Sequence, residues 1–434
     1  MDMLNTKGRL LPERLAAKLW RNRQGVLLHT LDGKTLQVLY PGRPNGGPGP
    51  DYKDALLQTE QGQPARGDVE VHRETDGWKA HGHQQDPRYN NVTLHLVYGE
   101  EPTASARRED GGTMPSALLN TESQEETVPT GRDWLAQQVG PWRAMLPAER
   151  LQALSELGEQ RFLLKSAAYR LLLEREGPDQ ALYRGIMEAL GYSRNRSPFL
   201  ELAHRLPWTA VRAAALASPV EARAAVLQVL LLRTGGLDAG QRQGPGDVVD
   251  PMPSSRWTLA GLRPQNHPKR RLAGAAVLLA GVVDEGLAVY CLRHIREGKA
   301  APLWKALEAS KDGQALIGRD RALDMAVNAA LPCLHAWAER TGENEAAGAC
   351  LEAYRRCPKP ADNELLREAA YLLGVPPAQL ARNACQQQGA IHLYKTLLKM
   401  GDAHIYGPSW EGVSAGGAAL QEAPWAYHIT KKAA

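Results

Sequence analysis

The spacing of apolar positions is strand-like in the first part of the chain and helical in the rest. Leu11, Leu15, Leu19 and Trp20 fall on one helical face, and Pro12 suits its first turn. Val26 to Thr30 and Lys34 to Tyr40 read as two strands. Asp32-Gly33 between them is a hairpin signal. The run from Pro41 to Asp51 is too rich in Gly and Pro for regular structure. Asp54 to Thr59 and Gly67 to His72 look like two further strands, and Asp86 to Asn91 like a turn or a short helix. Val92 to Tyr98 is a β-branched, apolar strand that encloses His95.

From Trp134 the period becomes helical. Leu151, Leu154, Leu157, Phe162 and Tyr169 mark the apolar face of a long helix over Pro147 to Glu174. Ala181 to Leu190 is stopped by Gly191, and Ser197 to Leu206 by Pro207. Pro219 to Leu232 ends at Gly235-Gly236. After a Gly/Pro-rich loop over Gly240 to Pro253, helices resume at Pro268 and run to about Met400. This pattern divides the chain into an α/β domain over residues 1–100, a low-complexity loop and linker over 101–133 with one edge strand near Met114 to Leu119, an all-α domain over 134–400 and an irregular tail over 401–434. The expected fold class is α+β overall, without a fixed-period repeat.

Composition changes this picture little. Of 434 residues, 43% are hydrophobic and 23% charged, enough for a sizeable core and too apolar for wholesale disorder. The formal net charge of +4 excludes a polybasic chain and leaves room only for a local basic groove. Five cysteines with no C-x-x-C pair argue against a disulfide framework and a zinc ribbon. One long uncharged run, Leu272 to Val283, is too short to span a bilayer and reads as a buried helix. No apolar leader is evident near the first residues, so a cytoplasmic chain is expected.

The candidate chemistry is concentrated in one place. Four of the 12 histidines, His72, His81, His83 and His95, lie between Gly67 and Leu96. In a strand, Asp68, Glu70 and His72 share one face while Val69 and Val71 share the other. That face is either a solvated strand side or a surface for metal and water. In the second case Glu70 ligates a divalent cation and His72 positions or activates a water. Asp51, at the end of the Gly/Pro loop, supplies a second carboxylate. A zinc site built on His81-x-His83 with His72 or Asp86 competes. His81 and His83 otherwise serve as supporting hydrogen-bond partners, and His95 reads as a core histidine.

Pro50-Asp51 followed by Glu70-Val71-His72 is similar to the metal signature of the PD-(D/E)XK nuclease superfamily. The order helix, three strands, turn and strand also fits. The resemblance implies a restriction-endonuclease-like N-terminal domain in which Asp51 and Glu70 hold Mg²⁺. It also implies an accessory acid on the first helix, for which Glu13 is placed. The superfamily's usual Lys is here His72. A second resemblance covers most of the chain outside residues 100–132 and the tail. Gly67-Asp68-Val69-Glu70-Val71-His72, Trp78, His81-Gly82-His83, Asp86-Pro87, Tyr89-Asn90-Asn91-Val92 and Leu94-His95-Leu96-Val97 resemble the hallmark of a bacterial family, domain-of-unknown-function family 2851. Gly191-Tyr192, Leu206-Pro207, Arg263-Pro264 and Gln387-Gln388-Gly389 resemble it too. That family implies no activity.

The helical part offers one basic run, with Arg256, Trp257, Arg263, Lys269, Arg270 and Arg271. It is either a solvated helix start behind a capping loop or a phosphate-binding surface on which Trp257 stacks on a base. Arg161 and Lys165 read as surface charges rather than a phosphate clamp. The expected function is metal-dependent hydrolysis of phosphodiester bonds in nucleic acid, with Asp51, Glu70 and His72 as catalytic residues and Asp68, His81, His83 and Asp86 in support. The alternatives are a degenerate nuclease fold that binds nucleic acid or protein, and a zinc hydrolase of a small substrate.

Overall fold

The computed structural model describes residues 13–59, 64–120, 134–192, 194–238, 251–297 and 302–399. The expectations for the tail, for residues 121–133 and for most of the Gly/Pro loop at 240–253 lie outside them. Two compact units result. One holds the described residues within 1–150, 364–376 and 391–399, the other those within 151–363 and 377–390. The units therefore interleave along the chain, whereas the sequence pattern suggested contiguous domains.

In the first unit, α1 (Glu13–Trp20) leads to the hairpin β1 (Leu27–His29) and β2 (Thr35–Tyr40). The Gly/Pro run departs from expectation, because it contains a two-residue strand, β3 (Arg43–Pro44). The strands β4 (Tyr52–Thr59) and β5 (Pro64–His72) follow, then the short helix α2 (Gly77–Ala80) and β6 (Val92–Val97). Residues 101–120 carry more structure than a linker. They form a small hairpin of β7 (Ala106–Arg107) with β8 (Thr113–Met114), and the expected edge strand, β9 (Ser116–Leu118).

The main sheet runs β1-β2-β4-β5-β6-β9, with β3 beside β4. Pairing is antiparallel from β1 to β5 and parallel from β5 through β6 to β9. The sheet curls, since Thr30 bridges Ala117 and Leu31 N–H donates to the Ser116 carbonyl. One face encloses Trp20, Leu28, Val38, Leu57, Val69, Val71, Leu94 and Leu96. Val69 and Val71 thus point inward as the alternation requires. The helix α14 (Glu364–Leu373) belongs to this unit. Its buried Glu368 accepts from Tyr40 Oη at 2.6 Å and Arg21 Nη2 at 2.7 Å. A paired buried carboxylate ties distant sequence to the sheet.

The second unit is built of helices. The helix α4 (Pro147–Leu190) bends at Gly177, with φ 76°, immediately before Pro178, where the sequence pattern also breaks. The unit includes α5 (Arg196–Arg205), α8 (Pro268–Ala280), α11 (Arg319–Met325), a π-helical turn over Ala326–Ala330 and the first half of α16 (Ala384–Lys399). The helix α8 is buried along Leu272, Ala275, Ala276 and Leu279, as expected of that uncharged run. All five cysteines are buried and free. Among the described residues, no helix is long and apolar enough to cross a membrane.

Candidate metal centre

The Gly/Pro loop folds back on itself and presents Asp51. Asn45 N–H donates to the Asp51 carbonyl at 2.7 Å, and Asn45 Nδ2 donates to the Pro50 carbonyl at 2.8 Å. Asp51 then meets β5. Its own N–H donates to Glu70 Oε2 at 2.8 Å, and its Oδ2 accepts from Val71 N–H at 3.2 Å. The two carboxylates expected to act together are thus held side by side. Burial pushes both carboxyls well above the usual range. Each is also raised by Glu13, and Asp51 by Glu70, while backbone N–H donors oppose the shift.

The polar face of β5 is not a solvated strand side. Asp68, Glu70 and His72 are all buried. Asp68 is not a candidate ligand. It pairs with Lys53 Nζ at 2.7 Å and accepts from Asp54 N–H at 3.1 Å. That contact pins an irregularity between β4 and β5, where Asp54 takes φ 61°. Asp86 is likewise engaged, capping the 3₁₀ turn Pro87–Tyr89 and pairing with Arg88. Glu13 is exposed and reaches the site electrostatically.

The histidines converge from three elements. His72 ends β5, His95 lies on the adjacent β6, and His81 and His83 flank Gly82. Gly82, at φ 74°, turns the chain between α2 and the 3₁₀ turn His83–Gln85. Gly77 is needed for a different reason. A Cβ there would stand 2.9 Å from the His72 ring. Trp78 packs edge-on to His72, His83 and His95, and Tyr89 stacks on His83 at 3.8 Å. These rings exclude water and favour neutral imidazoles. Burial, then the neighbouring histidines, lowers His72 to about 2. Burial and then His83 lowers His95 to about 4, and burial also lowers His83.

Neutral rings and a fixed hydroxyl assign the tautomers. Ser116 Oγ donates to the Ala104 carbonyl at 2.8 Å, so it accepts from His95 Nδ1–H at 3.2 Å. His95 Nε2 is therefore a lone pair and accepts from His72 Nδ1–H at 3.0 Å. His72 Nε2 is a lone pair in turn, aimed at the exposed His81 Nδ1 at 3.1 Å and standing 3.7 Å from Glu70 Oε1. His83 Nε2 stands 3.2 Å from the same Oε1 without the alignment of a hydrogen bond, and it is buried with no partner. Ligand atoms of His72, His81 and His83 all lie within 4.8 Å of one another. Converging lone pairs with an orphaned buried nitrogen and a carboxylate oxygen fit a divalent cation. Three imidazoles beside carboxylates suit Zn²⁺ or Mn²⁺ better than Mg²⁺.

His95 is a core histidine, as expected, and also the orienting partner of His72. Ser116 was missed. Its only sequence signal is its place in the edge strand, which says nothing about its contact with β6. The basic run is corrected in part. Trp257 is buried, edge-on to Phe199, with Nε1 donating to the Gly235 carbonyl at 2.7 Å, so it presents no face to a base. Arg271 is buried and donates to Asn266 Oδ1 at 2.8 Å, and Arg270 donates to the Ala315 carbonyl at 2.6 Å. Arg256 lies 3.6 Å from Glu201. Only Arg256, Arg263 and Lys269 of the run are exposed.

The profile of the family described as "Protein of unknown function (DUF2851)" matches residues 13–237, more than half of the chain. No curated protein and no solved structure matches.

Proposed function

The chain belongs to that family, and we propose that its histidine–carboxylate pocket is the centre of a metal-dependent hydrolase that cuts phosphodiester bonds of nucleic acid. One observation carries this reading. Asp51, Glu70 and His72 come together from a loop and a strand, with His72 Nε2 and Glu70 Oε1 facing one another across 3.7 Å. The order α1, antiparallel strands, α2 and the parallel strand β6 supports the PD-(D/E)XK resemblance. Asp51, Glu70 and His72 would hold the ion, with His81 and His83 beside it. A divalent ion there acidifies its water and offsets charge on the scissile phosphate. His72 Nε2 would turn its lone pair from His81 to the ion. His95 and Ser116 keep that nitrogen unprotonated. Trp78 and Tyr89 keep bulk water from His72, His83 and His95.

A second reading, a zinc hydrolase of a small substrate, is favoured by the three converging imidazoles. One experiment separates them. The purified chain meets labelled single- and double-stranded DNA and RNA with Mg²⁺, Mn²⁺, Zn²⁺ or EDTA, beside Glu70→Gln. Cutting that needs metal and falls at least 100-fold in Glu70→Gln supports the nuclease. Tightly held zinc without cutting supports the second reading. Nucleic-acid binding with neither would place the chain among non-catalytic binding folds.

A further inference from the structure

The first unit holds a cleft of about 360 Å³ beside the candidate metal centre. Trp78, Ala104 and Ala106 give it apolar walls. Trp78 belongs to both places, because its ring also lies edge-on to His83 and His95, at centroid separations of 5.2 and 5.6 Å. Its Nε1 donates to the Arg107 carbonyl at 2.9 Å, which ties α2 to β7. Ligand pockets commonly combine such apolar walls with a few polar groups that fix orientation.

The polar groups of this lining are left open. Asp76 immediately precedes α2, yet its carboxylate caps none of the helix N–H groups. Asp76, Lys79 and Arg107 all line the cleft and are exposed. Among the described residues none of the three side chains forms an ion pair. Gln84 also lines the cleft, and its enclosed Oε1 has no hydrogen-bond partner. The other acids nearby are engaged or lie outside the lining. Glu100 accepts from Thr75 N–H at 2.8 Å, Glu109 accepts from Asn90 Nδ2 at 2.9 Å, and Glu74 pairs with Arg73 at 3.5 Å. Glu101 does not line the cleft. A carboxylate and two cations on one rim do not select an anion. They suit a neutral, flat group that carries donors on one edge and acceptors on another.

We infer that the cleft binds a guanine base, the one next to the bond that the metal centre cuts, and in this it rests on the hydrolase reading above. Guanine carries N1–H and N2–H donors side by side, which the Asp76 carboxylate can accept together. Its O6 and N7 are acceptors, the usual targets of Arg and Lys, and Arg107 and Lys79 supply the donors. The Gln84 carboxamide adds a donor or an acceptor as it turns. Adenine fits the rim poorly, because its N1 lone pair would face the carboxylate.

The test is calorimetric titration of the full chain in EDTA, where nothing is cut. The probes are the 5′-monophosphates of guanosine, inosine and adenosine. Guanosine monophosphate is expected to bind about 10-fold tighter than adenosine monophosphate. It should also bind tighter than inosine monophosphate, which lacks the N2 amino group. Asp76→Ala, at an exposed residue whose side chain makes no bond, is expected to keep the Tm and to equalise guanosine and inosine monophosphates. Ser105→Trp, at another exposed lining residue, should fill the cleft and abolish binding. A single strand with one guanine that binds tighter than the free nucleotide supports the link to the cut bond, and equal affinity overturns that link. Metal-dependent cutting without guanine binding overturns the cleft and leaves the hydrolase. Guanine binding without cutting does the reverse. The proposal also fails if adenosine monophosphate binds as tightly, or if Asp76→Ala keeps the preference for guanosine over inosine.

Discussion

Ser116→Ala tests the tautomer argument at its origin. The substitution removes the acceptor of His95 Nδ1–H while leaving every proposed ligand in place. His95 and Ser116 are both fully buried, so water does not readily replace the lost acceptor. Two outcomes are open to the network. If His95 keeps its tautomer, a buried N–H goes unsatisfied, at a cost of about 1–3 kcal/mol to the fold. If His95 moves its proton to Nε2, that proton faces His72 Nδ1–H across 3.0 Å. His72 must then flip as well and present Nε2–H where the lone pair stood. The cost then falls on metal affinity, for which losing an orienting partner is worth about 10–100-fold. That range corresponds to about 1.4–2.7 kcal/mol. Calorimetric titration with Zn²⁺ and Mn²⁺ reads the affinity. Nitrogen NMR of the imidazoles reads the tautomers, and both His72 and His95 are expected as Nδ1–H in the unaltered chain. Ser116→Thr, which keeps the hydroxyl, should restore metal binding. An Nε2–H His72 in the unaltered chain, or a Ser116→Ala variant that binds metal within twofold of it and unfolds identically, would refute the reasoning.

Other predictions concern the frame around the sites. Gly389→Ala should destabilise the helical unit by about 2–3 kcal/mol, because its Cβ would stand 1.9 Å from the Leu154 carbonyl oxygen, a backbone atom. An unchanged urea midpoint would contradict this. Trp257→Ala should cost about 3–5 kcal/mol of stability through the cavity it leaves. It should leave nucleic-acid binding per folded molecule unaltered, since the ring is buried. The Asp54 carboxyl is raised by burial but lowered more by Arg66 and Arg43, so its net shift is downward. A lowered carboxylate contributes stability above its unfolded value and loses it as pH falls through its folded one. The stability gap between the unaltered chain and Asp54→Asn, followed by urea unfolding, should therefore close on going from about pH 5 to pH 2. A gap independent of pH over that range would show that the Arg43 and Arg66 pairing is not what the carboxylate contributes.

The sequence alone determined what depends on local periodicity. The two-residue period of Asp68, Glu70 and His72 against Val69 and Val71 placed the polar groups on one face. The stops at Gly191 and Pro207 bounded helices for the same local reasons. The hydrophobic run at Leu272 marked a buried helix. Tertiary structure decided everything that rests on contact between distant segments. Burial of the Asp68–Glu70–His72 face follows from Lys53 pairing with Asp68 and from Trp78 packing on His72, which no period records. The His72 tautomer depends on His95 one strand away and on Ser116 beyond it. Trp257 and Arg271 share a basic run with exposed residues, yet packing on Phe199 and hydrogen bonding to Asn266 take both inside. Arg161 and Lys165 look like ordinary helix-surface charges until Gln388, more than 200 residues on, supplies the oxygen they share. Strand and helix periods are properties of neighbouring residues, whereas charge compensation and proton placement are properties of whichever groups the folded chain brings within reach of one another.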